Sequence, residues 1–104
     1  MLSILKKLFG SDSRTDFRVL VEQGAVIVDV RSAAEFRSGH IKGAINVPLQ
    51  DLKSQVSSLK KLNKPVITCC LSGARSRSAS DFLKQQGMEV YNGGGWASLQ
   101  ARLR

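Results

Sequence analysis

Cysteine is nearly absent from this chain. Its 104 residues include two, adjacent at Cys69 and Cys70, and neighbours in sequence cannot form the set of bridges that staples small secreted domains. A reducing, cytoplasmic compartment fits better. Histidine is scarcer still: His40 stands between Gly39 and Ile41 with no second ligand or base beside it, so it reads as structural, and no metal or cofactor is implied. Long apolar runs are missing as well, which excludes a transmembrane segment. At the start of the chain Leu2, Leu5 and Phe9 fall on one helical stripe, but Lys6 and Lys7 interrupt it and no small-residue cleavage site follows, which excludes a secretory signal. Residues 1–15 therefore read as a helical extension folded against its own domain, with docking, a weak membrane-surface anchor or self-association open to it; a monomer or weak homodimer is expected. Acidic side chains are half as common as basic ones, 8 against 16, leaving a net charge of +8 that attracts anions in general. With no basic run interleaved with aromatics and no recognition-motif spacing, nothing in the sequence supports nucleic acid as the partner. Internal repeats and low-complexity segments are also absent.

What remains is enough for one ordinary core and not for two, since domains commonly run to about 100–150 residues. Phe17, Leu20 and Val21 recur at helical spacing before Gly24, predicting a short amphipathic helix. Ala25 to Val28 is an unbroken apolar run rich in β-branched residues, the mark of a parallel strand covered on both faces, and it leads to Asp29 and Arg31. Ser32 with Glu35 three residues later makes a capping box for a brief helix that Gly39 stops. Ala44 to Val47 predicts a second strand. Leu49, Leu52, Val56 and Leu59 follow as a helical stripe whose wet side carries Lys53, Lys60 and Lys61. Pro65 to Cys69 predicts the next strand, Ala79, Phe82 and Leu83 the helix after it, and Val90 with Tyr91 a last short strand before Gly93, Gly94 and Gly95. Trp96 then opens a terminal helix with Leu99 and Leu103 inward. Strands alternating with helices define an α/β domain with a mainly parallel sheet.

In such sheets reactive groups gather beyond the carboxyl ends of the strands, where helix N-termini offer unpaired amides. Cys70 falls at that point. Cys70, Leu71, Ser72, Gly73, Ala74, Arg75 and Ser76 form a compact connection from strand to helix, with a glycine that lets the backbone curl and turn several N–H groups inward. Amides and a nearby arginine favour the anionic form of a thiol, which makes Cys70 the candidate nucleophile. Ser72, Ser76 and the backbone amides are the candidate donors around it. Arg75 has two open roles: gripping an anionic substrate with its planar fork, or bracing the loop. Cys69 has the opposite outlook, because strand side chains alternate faces; it is expected to point away from Cys70 and pack in the sheet.

Four segments in this order resemble the rhodanese family over nearly the whole chain from Asp16 onward: Asp29-Val30-Arg31; Glu35-Phe36 through Gly39-His40-Ile41 and Gly43 to Pro48; the Cys70–Ser76 loop; and Gly93 to Trp96. The resemblance implies a rhodanese domain over 16–104, a three-layer α/β/α fold with a central, mainly parallel five-stranded sheet, and the Cys70 loop as active site. Leu71, Ser72, Gly73, Ala74, Arg75 and Ser76 would then bind the substrate, and Asp29, Arg31, Glu35 and His40 would be scaffold. The implied activity moves a sulfane sulfur from a small anionic donor such as thiosulfate, or from a polysulfide or persulfide, to a thiol, cyanide or protein acceptor through a persulfide on Cys70. The persulfide needs hydrogen-bond donors around its outer sulfur as an oxyanion does in acyl transfer. Leu71 stands where many members carry a basic residue, so the missing positive group could favour a less charged donor. Cys69 also departs from the common pattern.

Two rivals belong to other classes. A cysteine-dependent phosphatase or arsenate reductase needs five residues between cysteine and arginine to ring a tetrahedral anion; counting from Cys69 meets that spacing at Arg75, counting from Cys70 does not. A non-catalytic binding module of the same fold would be expected to lose the cysteine or the loop, and both are present.

Overall fold

The computed structural model describes residues 15–104; the helical extension expected over residues 1–15 lies, apart from Thr15, outside them. In chain order the elements are α1 (Phe17–Glu22), β1 (Val26–Asp29), α2 (Ala33–Arg37), β2 (Ile45–Asn46), a 3-10 turn (Leu49–Asp51), α3 (Leu52–Lys61), β3 (Val66–Cys70), α4 (Ala74–Gln85), β4 (Val90–Gly95) and α5 (Trp96–Arg102). The strands pair in parallel in the order β2-β1-β3-β4, which places β1 and β3, the two most continuous apolar runs, in the middle. The expected layered α/β fold is present. Its sheet has four strands among the described residues instead of the five expected, because the remaining apolar side chains there follow helical spacing and are used by the helices.

Alternation along the strands divides the core in two. Val28, Val30, Val66 and Cys70 face α3 and α4, where Leu52, Leu59, Ala79 and Leu83 close over them. Ile27, Ile67 and Cys69 face the other way, toward Phe17 of α1 and Leu99 of α5. Full burial of such a Leu, Ile or Phe side chain contributes about 1.5–3 kcal/mol, and this tertiary burial is what holds helices too short to persist alone. In α1 it is helped by Asp16, whose carboxylate accepts from the amides of Arg18 and Val19 at 3.1 and 3.3 Å, and by the Arg102 guanidinium 4.3 Å from the Phe17 ring centre. The capping box predicted for α2 forms in both directions, Glu35 N to Ser32 Oγ at 3.2 Å and Ser32 N to Glu35 Oε1 at 3.0 Å. Among the described residues no helix is long and apolar enough to cross a membrane.

The last strand differs from its sequence reading. It continues past Tyr91 through the glycine run to Gly95, where two glycines are demanded by close approach. A β-carbon on Gly93 would sit 2.5 Å from the Thr68 carbonyl oxygen and 2.8 Å from Leu99 Cδ2, and one on Gly95 would sit 2.9 Å from the Leu71 carbonyl oxygen. Residues that read as loop formers are here a strand laid tightly against β3. Pairing runs Thr68 with Asn92 and then Cys70 with Gly95, so β4 spends one more residue than β3 over that stretch, a bulge of the kind that re-aims backbone beside a site.

Candidate active site

Cys70 ends β3 and is 1% exposed. Beyond it the chain turns at Gly73, which adopts φ 112° as the residue preceding α4; this left-handed conformation is readily open to glycine and strained for other residues. The turn aims two amides at the sulfur: Gly73 N–H donates to Cys70 Sγ at 3.1 Å and Ser76 N–H at 3.2 Å. Both belong to the amino-terminal end of a twelve-residue helix, where amides lack intrahelical partners and the helix dipole favours negative charge.

A polar network braces the cradle from behind. The Ser76 hydroxyl donates to Asn92 Oδ1 at 2.6 Å and lies 2.8 Å from Thr68 Oγ1, which donates to the Ser76 carbonyl at 3.1 Å. Asn92 Oδ1 also accepts from Gly94 N–H at 3.0 Å. β3, α4 and β4 are thereby locked together directly under the loop, with all three side chains buried. Ser76 therefore meets the sulfur through its amide, while its hydroxyl is turned away into this network. Ser72 is exposed and makes no hydrogen bond to the sulfur; Ala74 is exposed as well. Leu71, beside Cys70, is 61% exposed.

Of the two roles open to Arg75, the geometry shows the brace. Its guanidinium forms a forked pair with Glu35, Nη1 to Oε1 at 2.7 Å and Nη2 to Oε2 at 2.9 Å. Arg75, together with the Ser32 amide, holds the Glu35 carboxyl down to about 2, and Glu35 in turn raises the Arg75 guanidinium above its ordinary value. Glu35 is positioned by a second, buried arginine. Arg31 grips Asp29 through Nε at 3.0 Å and Nη2 at 2.8 Å, donates from Nη2 to the Gly39 carbonyl at 2.6 Å and from Nη1 to the Glu35 carbonyl at 3.3 Å, and lies 4.7 Å from the Trp96 ring centre. A continuous set of contacts thus links Asp29, Arg31, α2, Glu35, Arg75 and the loop. His40 has the structural setting expected of it: Nδ1 lies 2.7 Å from the Phe36 carbonyl and the ring stacks on Phe36 at 3.7 Å.

Cys69 is as buried as Cys70 but faces the opposite layer, in the cluster of Phe17, Ile27, Ile67 and Leu99. Burial, and next the charge of Asp29, pushes its thiol far above the ordinary range. Thr68 and Asn92, which hold the back of the cradle, were not singled out from the sequence. Their signal was a polar residue inside an otherwise apolar strand and another at the foot of the glycine run.

Fold and site together define an α/β domain with an amide-cradled cysteine at the end of a central parallel strand. The Rhodanese-like domain matches residues 13–102, and the chain belongs to that family. Among curated relatives it is 37% identical over 90 residues to the uncharacterized protein YqhL of Bacillus subtilis, covering 86% of this chain and 67% of that protein. It is also 37% identical over 76 residues to the thiosulfate sulfurtransferase GlpE of Pseudomonas savastanoi, covering 72% and 71%. The chain thus spans about two thirds of these relatives' length. Among solved structures, the reduced CoADR-RHD of Bacillus anthracis superposes with a TM-score of 0.72 at 31% identity, over 85% of this chain but 16% of that one. The human single-domain sulfurtransferase TSTD1 superposes with a TM-score of 0.68 at 26% identity, over 85% and 91%. Sulfur transfer is the activity at family level.

Proposed function

We propose that this protein is a sulfurtransferase whose nucleophile is Cys70, accepting a sulfane sulfur from thiosulfate, a polysulfide or a persulfide and passing it to a thiol, cyanide or a protein acceptor. Residues 16–104 form the catalytic rhodanese unit in this reading and residues 1–15 an extension to it. The observation that carries it is the pair of amides, Gly73 N–H and Ser76 N–H, converging on Cys70 Sγ at 3.1 and 3.2 Å. A core cysteine has no need of two donors on its sulfur. With thiosulfate the Cys70 thiolate attacks the outer sulfur, the S–S bond breaks, and sulfite leaves with the bonding pair. The charge then rests on the outer sulfur of a Cys70 persulfide, within the ring Leu71 to Ser76. An acceptor thiolate attacks that outer sulfur and Cys70 leaves as thiolate, so the cycle needs no external oxidant or reductant. Two buried free cysteines support a reducing cytoplasm as its place of action.

Phosphatase chemistry starting from Cys69 finds no support in the geometry, since its thiol points into the other layer, away from the loop amides. Intact-protein mass spectrometry after incubation with thiosulfate or polysulfide tests the proposal on wild type, Cys70→Ser and Cys69→Ser. The expected result is gain of one sulfur, reversed by thiol and lost only in Cys70→Ser. Wild type that gains none from either donor overturns the assignment.

A further inference from the structure

The loop Cys70 to Ser76 carries a single ionisable cation, Arg75, and that cation is already matched. Each of its terminal nitrogens donates to Glu35, at 2.7 and 2.9 Å. Fork-to-fork geometry of this kind fixes direction as well as charge. Glu35 cannot easily turn aside, because its Oε1 also accepts from the Ser32 amide at 3.0 Å and its own amide is bound to Ser32 Oγ. The pair therefore adds no net charge to the mouth of the cradle. Besides that neutral pair, the loop presents uncharged groups to solvent: Ser72, Ala74 and above all Leu71, the residue next to the nucleophile and, among the described residues, the most exposed of the large apolar side chains. An incoming dianion meets amide dipoles and, within the loop, a guanidinium already paired with Glu35, whereas a donor with a carbon skeleton meets an apolar side chain it can cover.

We propose that Glu35 is a specificity-determining residue: by occupying Arg75 it biases the Cys70 loop against thiosulfate dianion and toward sulfane sulfur carried on an organic group, whose carbon part rests on Leu71. This rests on Cys70 being the sulfur acceptor. The step is the same displacement in each case. With an organic hydropersulfide the Cys70 thiolate attacks the outer sulfur, the S–S bond breaks, the organic thiolate departs with the bonding pair, and the proton stays on the transferred sulfur.

The test compares kcat/KM for Cys70 persulfide formation from thiosulfate and from benzenethiosulfonate, which deliver the same outer sulfur but leave as sulfite and benzenesulfinate. Intrinsic leaving-group reactivity cancels when the ratio is compared between variants. Glu35→Gln keeps a residue suited to the capping box and releases the charge of Arg75. The thiosulfate to benzenethiosulfonate ratio should rise roughly tenfold at low salt, an effect of the size one unscreened charge has on a dianion near a protein surface, and shrink at ~0.5 M salt. Glu35→Gln with Arg75→Gln should return the ratio to that of wild type. Leu71→Ser, at an exposed position that folding does not depend on, should raise the thiosulfate to benzenethiosulfonate ratio several-fold, and it decides the matter if Glu35→Gln does not fold. An unchanged ratio across the variants, in protein that does take up sulfur, overturns the selectivity assignment alone. Wild type loaded by neither donor removes the sulfur-transfer reading and this one together.

Discussion

Cys69 and Cys70 are covalent neighbours in one central strand, both almost completely removed from solvent, and the two faces of the sheet give them different surroundings. On the face of Cys70 the strand ends under the start of α4, and two amides reach the sulfur. On the face of Cys69 the neighbours are Phe17, Ile27, Ile67 and Leu99, and burial holds the thiol protonated. Burial alone therefore does not fix a thiol's surroundings; what differs is whether donors are delivered into the buried space. The strand's period of two does the sorting, and the glycine turn at Gly73 does the delivery.

The largest test of this contrast exchanges the sulfurs themselves. Cys70→Ser should abolish sulfur uptake, a loss on the order of a thousandfold or more, while Cys69→Ala should retain uptake and cost about 1 kcal/mol for a small vacated volume, read by mass spectrometry and urea unfolding. Next in size is the scaffold below the loop. Arg31→Leu leaves Asp29 buried without its partner and should cost roughly 3–5 kcal/mol, seen as a shifted denaturation midpoint. Ser76→Ala keeps the amide on Cys70 Sγ but removes the donor to Asn92 Oδ1; about 1–2 kcal/mol of stability should go, with sulfur uptake slowed less than by any change at Cys70. The smallest effect is a pH dependence. The Glu35 carboxyl is depressed in the folded state from its ordinary 4.5 to about 2, so its stabilising contribution is fully present above about pH 4.5 and is lost as pH falls through about 2. Thermal unfolding followed across that window should decline less steeply in Glu35→Gln than in wild type; equal slopes would detach the pair from stability.

How much of this was readable from residues alone depends on how local each feature is. β1 and β3 announce themselves as apolar β-branched runs, the α2 cap is complete within Ser32 and Glu35, and the alternation separating Cys69 from Cys70 needs nothing beyond strand geometry. The Arg75 brace was not decidable, because its partner lies 40 positions earlier and nothing local records a pairing across the sheet end. The Ser76 hydroxyl misled for a related reason: the side chain is the visible donor, yet Asn92 and Thr68 claim it and the backbone amide takes over. The glycine strand was hidden because glycine reads as turn, and the demand for its missing β-carbon comes from Thr68 on β3 and from Leu71 just beyond that strand's end. The expectation of a fifth strand came from family resemblance, and no further apolar strand run between residues 15 and 104 stood behind it.

The register shift between Thr68 and Cys70 has a bearing on how the protein is made. β3 finds one neighbour, β1, already synthesised, but the strand that supplies Asn92 and Gly94 to the back of the cradle leaves the ribosome only after all of α4. At ordinary elongation rates that interval is on the order of seconds. During it Ser76 lacks the Asn92 partner that braces the loop from β4, and the Thr68 side of the network stands alone. Completion of β4 is thus the step that finishes the cradle as well as the sheet.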